Sequence, residues 1–343
     1  MAVSLFEEWT RRLTADGSTR SPRVAFAEGD DPRVRRAAVD LVGHGITPIL
    51  VSQRQDAKDL PAAVEVTTAA TLSAGPAGAR VEQVATQRNW SPSAVAARSD
   101  DPVYLAAAMV AAGSADACVA GSTRTTGEVI RAGIHVLGLE PATRVLSSSF
   151  LMLPVHGPPL AFADCAVVPE PDESQLADIA ISTAATFESL TGRTASVAML
   201  SFSTKGSADH ESVRRVRAAT ELARDRAPWL AVDGEIQFDA ALVASVGQRK
   251  AAGSPVAGQA NVFVFPNLAA GNIGYKIAER LGGAQAIGPI LQGLNAPMND
   301  LSRGCSAQDV VTVALISALQ AQSGPAAPRQ GRSGTGLAST RTS

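Results

Sequence analysis

Residues 23–51 read RVAFAEGDDPRVRRAAVDLVGHGITPILV, and this stretch predicts a strand, a helix and a second strand. The apolar runs RVAFA (23–27) and ITPILV (46–51) have the length and composition of strands. Between them, residues 32–43 carry a proline in the first turn and a glycine near the end, as helices often do. A helix between two strands is typical of a βαβ unit with parallel strands, so the predicted fold class is α/β.

The same alternation continues along the chain. Further helices are predicted at 101–113, 126–138, 174–192, 211–227, 272–283 and 306–322. Further strands are predicted at 115–121, 144–154, 160–168, 196–203, 229–236, 260–267 and 286–291. Residues 324–343 have almost no apolar pattern and predict a disordered tail.

Composition excludes several classes of protein. The 343 residues hold 30 Lys and Arg against 32 Asp and Glu, which argues against a strongly basic nucleic-acid binder. No apolar stretch approaches the roughly 20 residues of a membrane helix, and no signal peptide is apparent. The three cysteines form no CxxC pair and the four histidines have no metal spacing. We therefore expect a cytoplasmic protein that binds neither membrane, nucleic acid nor metal.

The stretch GLNAPMNDLSRGCSAQDVV (293–311) is rich in turn formers and precedes a predicted helix. Composition favours Ser306 as a helix cap, with Asp309 in the capping-box position. The alternative is an anion site made by Ser302, Arg303 and the helix N-terminus. Cys305 could be a nucleophile, but no base is paired with it, so a small packed residue is the favoured interpretation.

Three other loops follow predicted strands, where open α/β sheets bind ligands. The loop in AGSTRTTGEVIRAG (120–133) has hydroxyls that could donate to a phosphate group, on Thr123, Thr125 and Thr126. The loops in SFSTKGSADH (201–210) and FPNLAAGNIGYK (265–276) add the polar candidates Ser203, Thr204, Asn267 and Asn272. For each loop the alternative is an ordinary polar connection, and AGNIG lacks the spacing of a dinucleotide fingerprint.

Taken together and in order, seven segments resemble the phosphate acetyltransferase family, within the phosphate acetyl/butyryltransferase group. They are RVAFAEGDDPRVRRAA, DPVYLAAAMVAAGSADACVAGSTRTTGEVIRAG, FADCAVVPEPDESQLADIAI, SFSTKGSADH, VDGEIQFDAAL, KAAGSPVAGQANVFVFPNLAAGNIGYK and AIGPILQGLNAPMNDLSRGCSAQDVV. They cover nearly everything from residue 22 to 322.

The resemblance implies two three-layer α/β domains with largely parallel sheets and a cleft between them, as in isocitrate and isopropylmalate dehydrogenases. Residues 1–147 with 289–323 would form the first domain and 148–288 the second. The resemblance also implies a homodimer that transfers an acetyl group between acetyl phosphate and coenzyme A, releasing or consuming inorganic phosphate. Coenzyme A is then a substrate, and no cofactor is expected.

The resemblance also assigns roles to matching positions. Asp309 matches the base that takes the thiol proton, Ser302 a residue that stabilises the transition state, and Arg303 the phosphate-binding arginine. Arg131 matches an arginine used for coenzyme A. The family's basic segment, similar to LRKHKG, is replaced here by VATQRNWSPSAVAAR (84–98), where Arg88 is the nearest counterpart.

The implied chemistry is direct attack of the thiol on the acyl phosphate in a ternary complex. A thiol has a pKa of about 8.5 against about 3.9 for an Asp carboxyl, so complete proton transfer before attack would cost about 6 kcal/mol. Either burial makes the Asp309 carboxylate a stronger base, or the proton leaves in concert with attack.

Three alternatives stay open at this stage. A propionyl or butyryl transferase would prefer longer acyl phosphates. A degenerate relative would bind coenzyme A without turnover, which the altered 85–91 region favours and the intact Ser302, Arg303 and Asp309 oppose. A metal-dependent dehydrogenase of the isocitrate type would need clustered aspartates, whereas only Asp300 and Asp309 lie near the predicted site.

Overall fold

A computed structural model describes residues 2–15, 20–141 and 143–323; the tail predicted at 324–343 lies outside them. The helices are α1 (Ala2–Ala15), α2 (Pro32–Gly43), α3 (Ala69–Ser73), α4 (Pro76–Gln87), α5 (Pro92–Ala96), α6 (Pro102–Ala111), α7 (Thr126–Val136), α8 (Glu173–Thr191), α9 (Glu211–Arg226), α10 (Phe238–Leu242), α11 (Ala244–Lys250), α12 (Leu268–Arg280) and α13 (Ala307–Ser323). The strands are β1 (Arg23–Phe26), β2 (Thr47–Ser52), β3 (Glu65–Thr68), β4 (Ala117–Ala120), β5 (Ser147–Leu153), β6 (Leu160–Ala163), β7 (Ser196–Leu200), β8 (Ala231–Ile236), β9 (Val262–Val264), β10 (Gln285–Gln292) and β11 (Met298–Asp300).

These strands form two sheets. The first has the order β11-β4-β1-β2-β3, and all its neighbours run parallel. The second has the order β10-β5-β6-β9-β7-β8; β6, β9, β7 and β8 run parallel, whereas β5 is antiparallel to both of its neighbours. The predicted α/β class with largely parallel sheets is confirmed.

The first βαβ unit forms as its sequence predicts. β1 pairs in parallel with β2, and α2 spans the predicted residues 32–43. Asp31 caps the helix by accepting a hydrogen bond from the Arg33 N–H, which leaves Pro32 at a position that needs no donor. The buried face of α2 consists of Val34, Ala37, Ala38 and Leu41, the spacing of one helical stripe.

The structure differs from the sequence prediction in the stretch 293–311. Residues 298–300, predicted as part of a turn-rich loop, form the buried edge strand β11 beside β4. The Asn299 side chain explains how so short a strand is held: it accepts from the Leu291 N–H at 2.8 Å and donates to the Ser317 hydroxyl at 2.8 Å. Helix α12 also begins at Leu268, four residues before its predicted start at 272.

Helix α13 fixes the loop that precedes it. Its residues 310–319 are all buried. The helix packs on α2 and on β4 of the first sheet, and also on α8, which packs on the second sheet. Strand β10 crosses the predicted domain boundary at 288/289, while β11 and α13 return to the first sheet. The domain bounds and the dehydrogenase-like arrangement stay predictions. In the described part of the chain, no helix is long and apolar enough to cross a membrane.

Candidate active site

The candidate site lies at the carboxyl edge of the first sheet, where the adjacent strands β11, β4 and β1 end. A cavity of about 220 Å³ there is lined by Arg124, Thr126, Pro289, Asp300, Leu301, Ser302 and Arg303. Pro289 belongs to β10, so strands of both sheets border the cavity. The structure therefore brings together two of the four loops singled out in the sequence, 120–133 and 293–311.

Arg33 holds these two loops in place. Its Nη1 donates to the carbonyl oxygens of Arg303 at 2.8 Å and Cys305 at 2.9 Å. Its Nη2 donates to the Ser122 carbonyl at 2.8 Å and forms a 2.6 Å ion pair with Asp31. Sequence reasoning missed this residue, which it placed only within the predicted helix 32–43; Asp31, two positions earlier, was the available signal.

Gly121 allows the loop after β4 to approach the loop after β11. Its φ is +105°, a conformation that favours glycine. An added Cβ would lie 2.2 Å from Asp300 Oδ1 and 2.7 Å from the Leu301 carbonyl oxygen. Its N–H donates to Glu28 Oε1 at 2.9 Å, and burial raises the pKa of that Glu28 carboxyl. Two carboxyl groups thus flank one glycine.

Ser302 and Arg303 present their side chains to the cavity and to solvent. The Ser302 hydroxyl accepts a 3.2 Å hydrogen bond from the Gly304 N–H, so its proton is free to be donated. The Arg303 guanidinium has no ion-pair or hydrogen-bond partner among residues 2–15, 20–141 and 143–323. A guanidinium without a partner beside a hydroxyl donor is suited to bind an anion.

Asp309 forms the capping interaction with Ser306 that composition favours. One carboxylate oxygen accepts from the Ser306 N–H at 2.8 Å and from its hydroxyl at 2.9 Å, while the Asp309 N–H donates to that hydroxyl at 3.2 Å. The Asp309 side chain is solvent-exposed. Cys305 is buried, which raises the pKa of its thiol, and this opposes its use as a nucleophile.

The three predicted threonines have different surroundings. Thr126 lines the cavity, and its hydroxyl donates to Asp300 Oδ2 at 2.6 Å. Thr125 is the N-cap of α7 and forms a capping box with Glu128. The exposed Thr123 donates its backbone N–H to Glu28 at 3.3 Å.

A second cavity, of about 230 Å³, adjoins the first along α7. It is lined by Ala97, Arg98, Asp101, Val103, Tyr104, Glu128 and Arg131. Arg124, which lines the first cavity, pairs with Asp101 at 3.4 Å and with Glu128 at 3.3 Å in the second. Arg131 is exposed here, as expected for a residue that meets a ligand.

Comparison with known proteins decides the family. The model of the phosphate acetyl/butaryl transferase family matches residues 8–318. The chain belongs to this family. It is 43% identical over 303 residues to a phosphate acetyltransferase of Paracoccus denitrificans, which covers 87% of this chain and 94% of the relative. It is 40% identical over 333 residues to that of Acetivibrio thermocellus, covering 93% and 99%.

A solved structure agrees with this assignment. The crystal structure of a phosphotransacetylase from Streptococcus pyogenes is 39% identical and superposes with a TM-score of 0.86, covering 94% of this chain and 99% of that one.

The departure from the family's basic segment now has a structural description. Arg88, the predicted counterpart, ends α4 and donates to the Ile134 carbonyl at 3.0 Å and the His135 carbonyl at 3.4 Å, and it does not line the second cavity. Arg98 does line it. Its guanidinium lies 4.7 Å from the centre of the Trp90 ring and donates to the Tyr104 hydroxyl at 3.1 Å. Sequence reasoning missed Arg98, although it ends the segment 84–98.

The charges of three arginines in this region act on His135. Burial first, and then the charges of Arg88, Arg98 and Arg131, lower the pKa of His135 to about 4. His135 is therefore neutral at physiological pH, and the charges that act on it are those of the three arginines.

The four remaining predicted binding residues lie around the second sheet, and none of them borders either cavity. The Ser203 hydroxyl donates to Glu235 at 2.9 Å and the Thr204 hydroxyl to Gln237 at 3.2 Å, and both side chains are buried. The Asn267 side chain caps α12, and the Asn272 amide donates to the Cys165 carbonyl at 3.0 Å. Internal hydrogen bonds thus account for these residues. Among the residues that the structure describes, no group of three His, Cys, Asp or Glu side chains could hold a metal ion.

Proposed function

We propose that this chain is a phosphate acetyltransferase, which transfers an acetyl group reversibly between acetyl phosphate and coenzyme A without a cofactor. The observation that carries the proposal is the Arg303 guanidinium, which has no partner among the described residues and lies beside the Ser302 hydroxyl on the cavity at the sheet edge. The relatives at 43% and 40% identity, both phosphate acetyltransferases, support the same reaction.

In the proposed reaction the coenzyme A thiol attacks the acyl carbonyl directly. The sulfur–carbon bond forms, the carbon–oxygen bond to phosphate breaks, and phosphate leaves. The Ser302 hydroxyl donates to the developing oxyanion, and Arg303 holds the phosphate charge.

Asp309 is proposed to take the thiol proton. Its carboxylate is exposed at the start of α13. Of the two routes open to it, this exposure favours proton loss in concert with attack, because the other route requires a buried carboxylate.

The first test is thioester formation from acetyl phosphate and coenzyme A, followed by ultraviolet absorbance. We expect turnover in the native protein and a fall in kcat of about 10²- to 10⁴-fold in Asp309→Ala, the range of general base catalysis. Binding of acetyl phosphate should stay within a few fold. A variant that keeps native kcat would contradict the role of Asp309.

Two further outcomes address the alternatives. A clear preference for propionyl or butyryl phosphate over acetyl phosphate would assign the chain to the other branch of the family. Binding of coenzyme A with no thioester from any acyl phosphate would mean a degenerate relative.

The second cavity is proposed to bind a phosphate group of coenzyme A, with Arg98 and Arg131 as its cations. We expect Arg98→Ala and Arg131→Ala each to raise the KM for coenzyme A by about 10-fold or more, as loss of one charged hydrogen bond does. The KM for acetyl phosphate should not change. Arg88→Ala is the matched control, because its donors are used on α7 carbonyls; a larger effect there than at Arg98 would restore the sequence-based choice.

We also propose that two copies of the chain associate. The outward face of α12 carries Ile273, Ile277 and Leu281, which are 58%, 53% and 86% exposed and lie on one stripe. Val155, 60% exposed, lies beside Gly283 and extends this apolar face. Apolar faces of this kind mark interfaces between proteins. The proposed compartment is the cytoplasm, with which three free cysteines are consistent.

A further inference from the structure

Asp300 is a carboxyl group in a cavity otherwise suited to anions. It lies at the carboxyl end of β11 and lines the cavity with Ser302 and Arg303, although only 2% of its surface is exposed. Its Oδ2 accepts the 2.6 Å hydrogen bond from Thr126. Its Oδ1 is buried against Gly121 and has no hydrogen-bond partner in the described part of the chain. The proposed function does not use this group.

The charges around Asp300 do not neutralise it. From the end of β1 it faces Glu28, a second carboxyl, which is half-buried. From the loop after β4 it faces Arg124, whose guanidinium pairs with Asp101 and Glu128. From its own loop, Arg303 shares the cavity, yet across residues 2–15, 20–141 and 143–323 no ion pair reaches Asp300. An ionised Asp300 would therefore oppose a phosphate group that enters the cavity.

Asp300 gains or loses its proton at a pH close to neutral. Burial raises the pKa of Asp300 to about 6, with a smaller contribution from the Glu28 charge, while the Thr126 hydrogen bond acts in the opposite direction. A dianion beside this carboxyl would disfavour the charged form further. The neutral carboxyl does not repel a phosphate group, whereas the carboxylate does.

We propose that Asp300 takes up a proton when the phosphate group of the substrate enters the cavity, so that the negative charge that would repel this group is removed. The inference rests on the proposed function, because it takes the cavity as the site of acyl phosphate and phosphate. It adds a residue that sets how tightly the anion binds and how this affinity depends on pH.

The sign of the pH dependence follows from linkage. Proton uptake on binding means that anion affinity falls as pH rises above the pKa of free Asp300. With that pKa at about 6, affinity should fall by up to about 50-fold between pH 6 and pH 8. At pH 7 about 0.9 proton should be taken up per anion bound, since about nine in ten carboxyls are then ionised beforehand.

The test is calorimetric titration of the full chain with sulfate, which stays a dianion across this range, so that any proton taken up goes to the protein. Repeating the titration at pH 7 in buffers of different ionisation enthalpy counts the protons. We expect about 0.9 in the native chain and none in Asp300→Asn, whose affinity should also be flat from pH 6 to pH 8. Asp40→Asn, which removes an exposed carboxyl of α2 that does not line the cavity, is the matched control and should keep the native count.

Several results would overturn the inference. The first is sulfate binding without proton uptake. The second is proton uptake that persists in Asp300→Asn but is lost in Glu28→Gln. The third is that neither sulfate nor inorganic phosphate binds. The thioester assay is read separately, so turnover with no proton uptake rejects this inference and leaves the proposed function standing.

A second variant covers the case in which Asp300→Asn does not fold. Thr126→Val removes the hydrogen bond that favours the ionised carboxyl. We expect the fall in sulfate affinity to begin at higher pH and the proton count at pH 7 to decrease. An unshifted curve in this variant would reject the role of Asp300.

Discussion

Arg303→Ala is expected to lower kcat/KM for acetyl phosphate by about 10³-fold and to leave the fold intact. The guanidinium has no partner in the described residues, so its removal leaves no buried charge behind. The substitution removes a charged, bidentate hydrogen-bond donor from the phosphate group, which gains negative charge as it leaves. Removing one such donor from an active site commonly costs 10²- to 10³-fold in rate, and a bidentate arginine is at the upper end.

Two companion variants make this result specific. Arg303→Lys keeps the charge but loses the planar fork, so its kcat/KM should lie between those of Arg303→Ala and the native chain. Arg36→Ala removes an exposed arginine of α2 and should leave both kinetic constants unchanged. Steady-state rates with acetyl phosphate varied at saturating coenzyme A measure all three. If Arg303→Ala stays within about tenfold of the native value, the phosphate is bound elsewhere.

The sequence predicts those parts of the fold that depend on local pattern. The first βαβ unit is an example, since the proline in the first turn and the glycine near the end predict the helix that forms. Strand β11 has no such pattern. Its three residues lie among turn formers and become a strand because β4 offers an edge and Asn299 bonds to β10 and α13. Tertiary contacts of this kind cannot be read from neighbouring residues.

Some residues of the candidate site were likewise predicted from the sequence, and others were not. Ser302 and Arg303 were considered as an anion site at a helix start, and the family resemblance assigned their roles, whereas Thr126 was predicted in a loop after a strand, where open sheets bind ligands. Arg88 was predicted as the nearest counterpart of the family's basic segment, yet packing against Trp90 and Tyr104 brings Arg98 to the second cavity. Asp300 was noticed only as an isolated acid, because its burial depends on Gly121 and the loop after β4.

Arg33→Met is expected to lower kcat by about 10²-fold although Arg33 does not line either cavity. Its guanidinium is the common donor to the Ser122, Arg303 and Cys305 carbonyls, so the loops after β4 and β11 lose their shared anchor. Small displacements of positioned groups cost rates of this size. The free energy of unfolding should also fall by about 2 kcal/mol, since Asp31 and three carbonyls lose a partner.

Stability against pH separates this role from a general loss of folding. The Arg33 hydrogen bonds hold the pKa of Asp31 below its ordinary value. A lowered pKa contributes stability that is present above the unfolded value, about 3.9, and is lost as pH falls through the folded one. In Arg33→Met this contribution is absent, so urea unfolding should show a smaller difference between native and variant in acid than at pH 7.

Arg33→Lys tests whether the geometry or the charge of Arg33 matters. One ammonium cannot reach carbonyls of both loops and the Asp31 carboxylate together, so lysine should restore most of the stability through the Asp31 pair but little of the kcat. Native kcat in Arg33→Lys would mean that the charge of residue 33 alone suffices. Native kcat in Arg33→Met would mean that the two loops hold the Ser302 and Arg303 side chains without the Arg33 guanidinium. The expected separation of kcat from stability would identify Arg33 as the residue that positions the anion site.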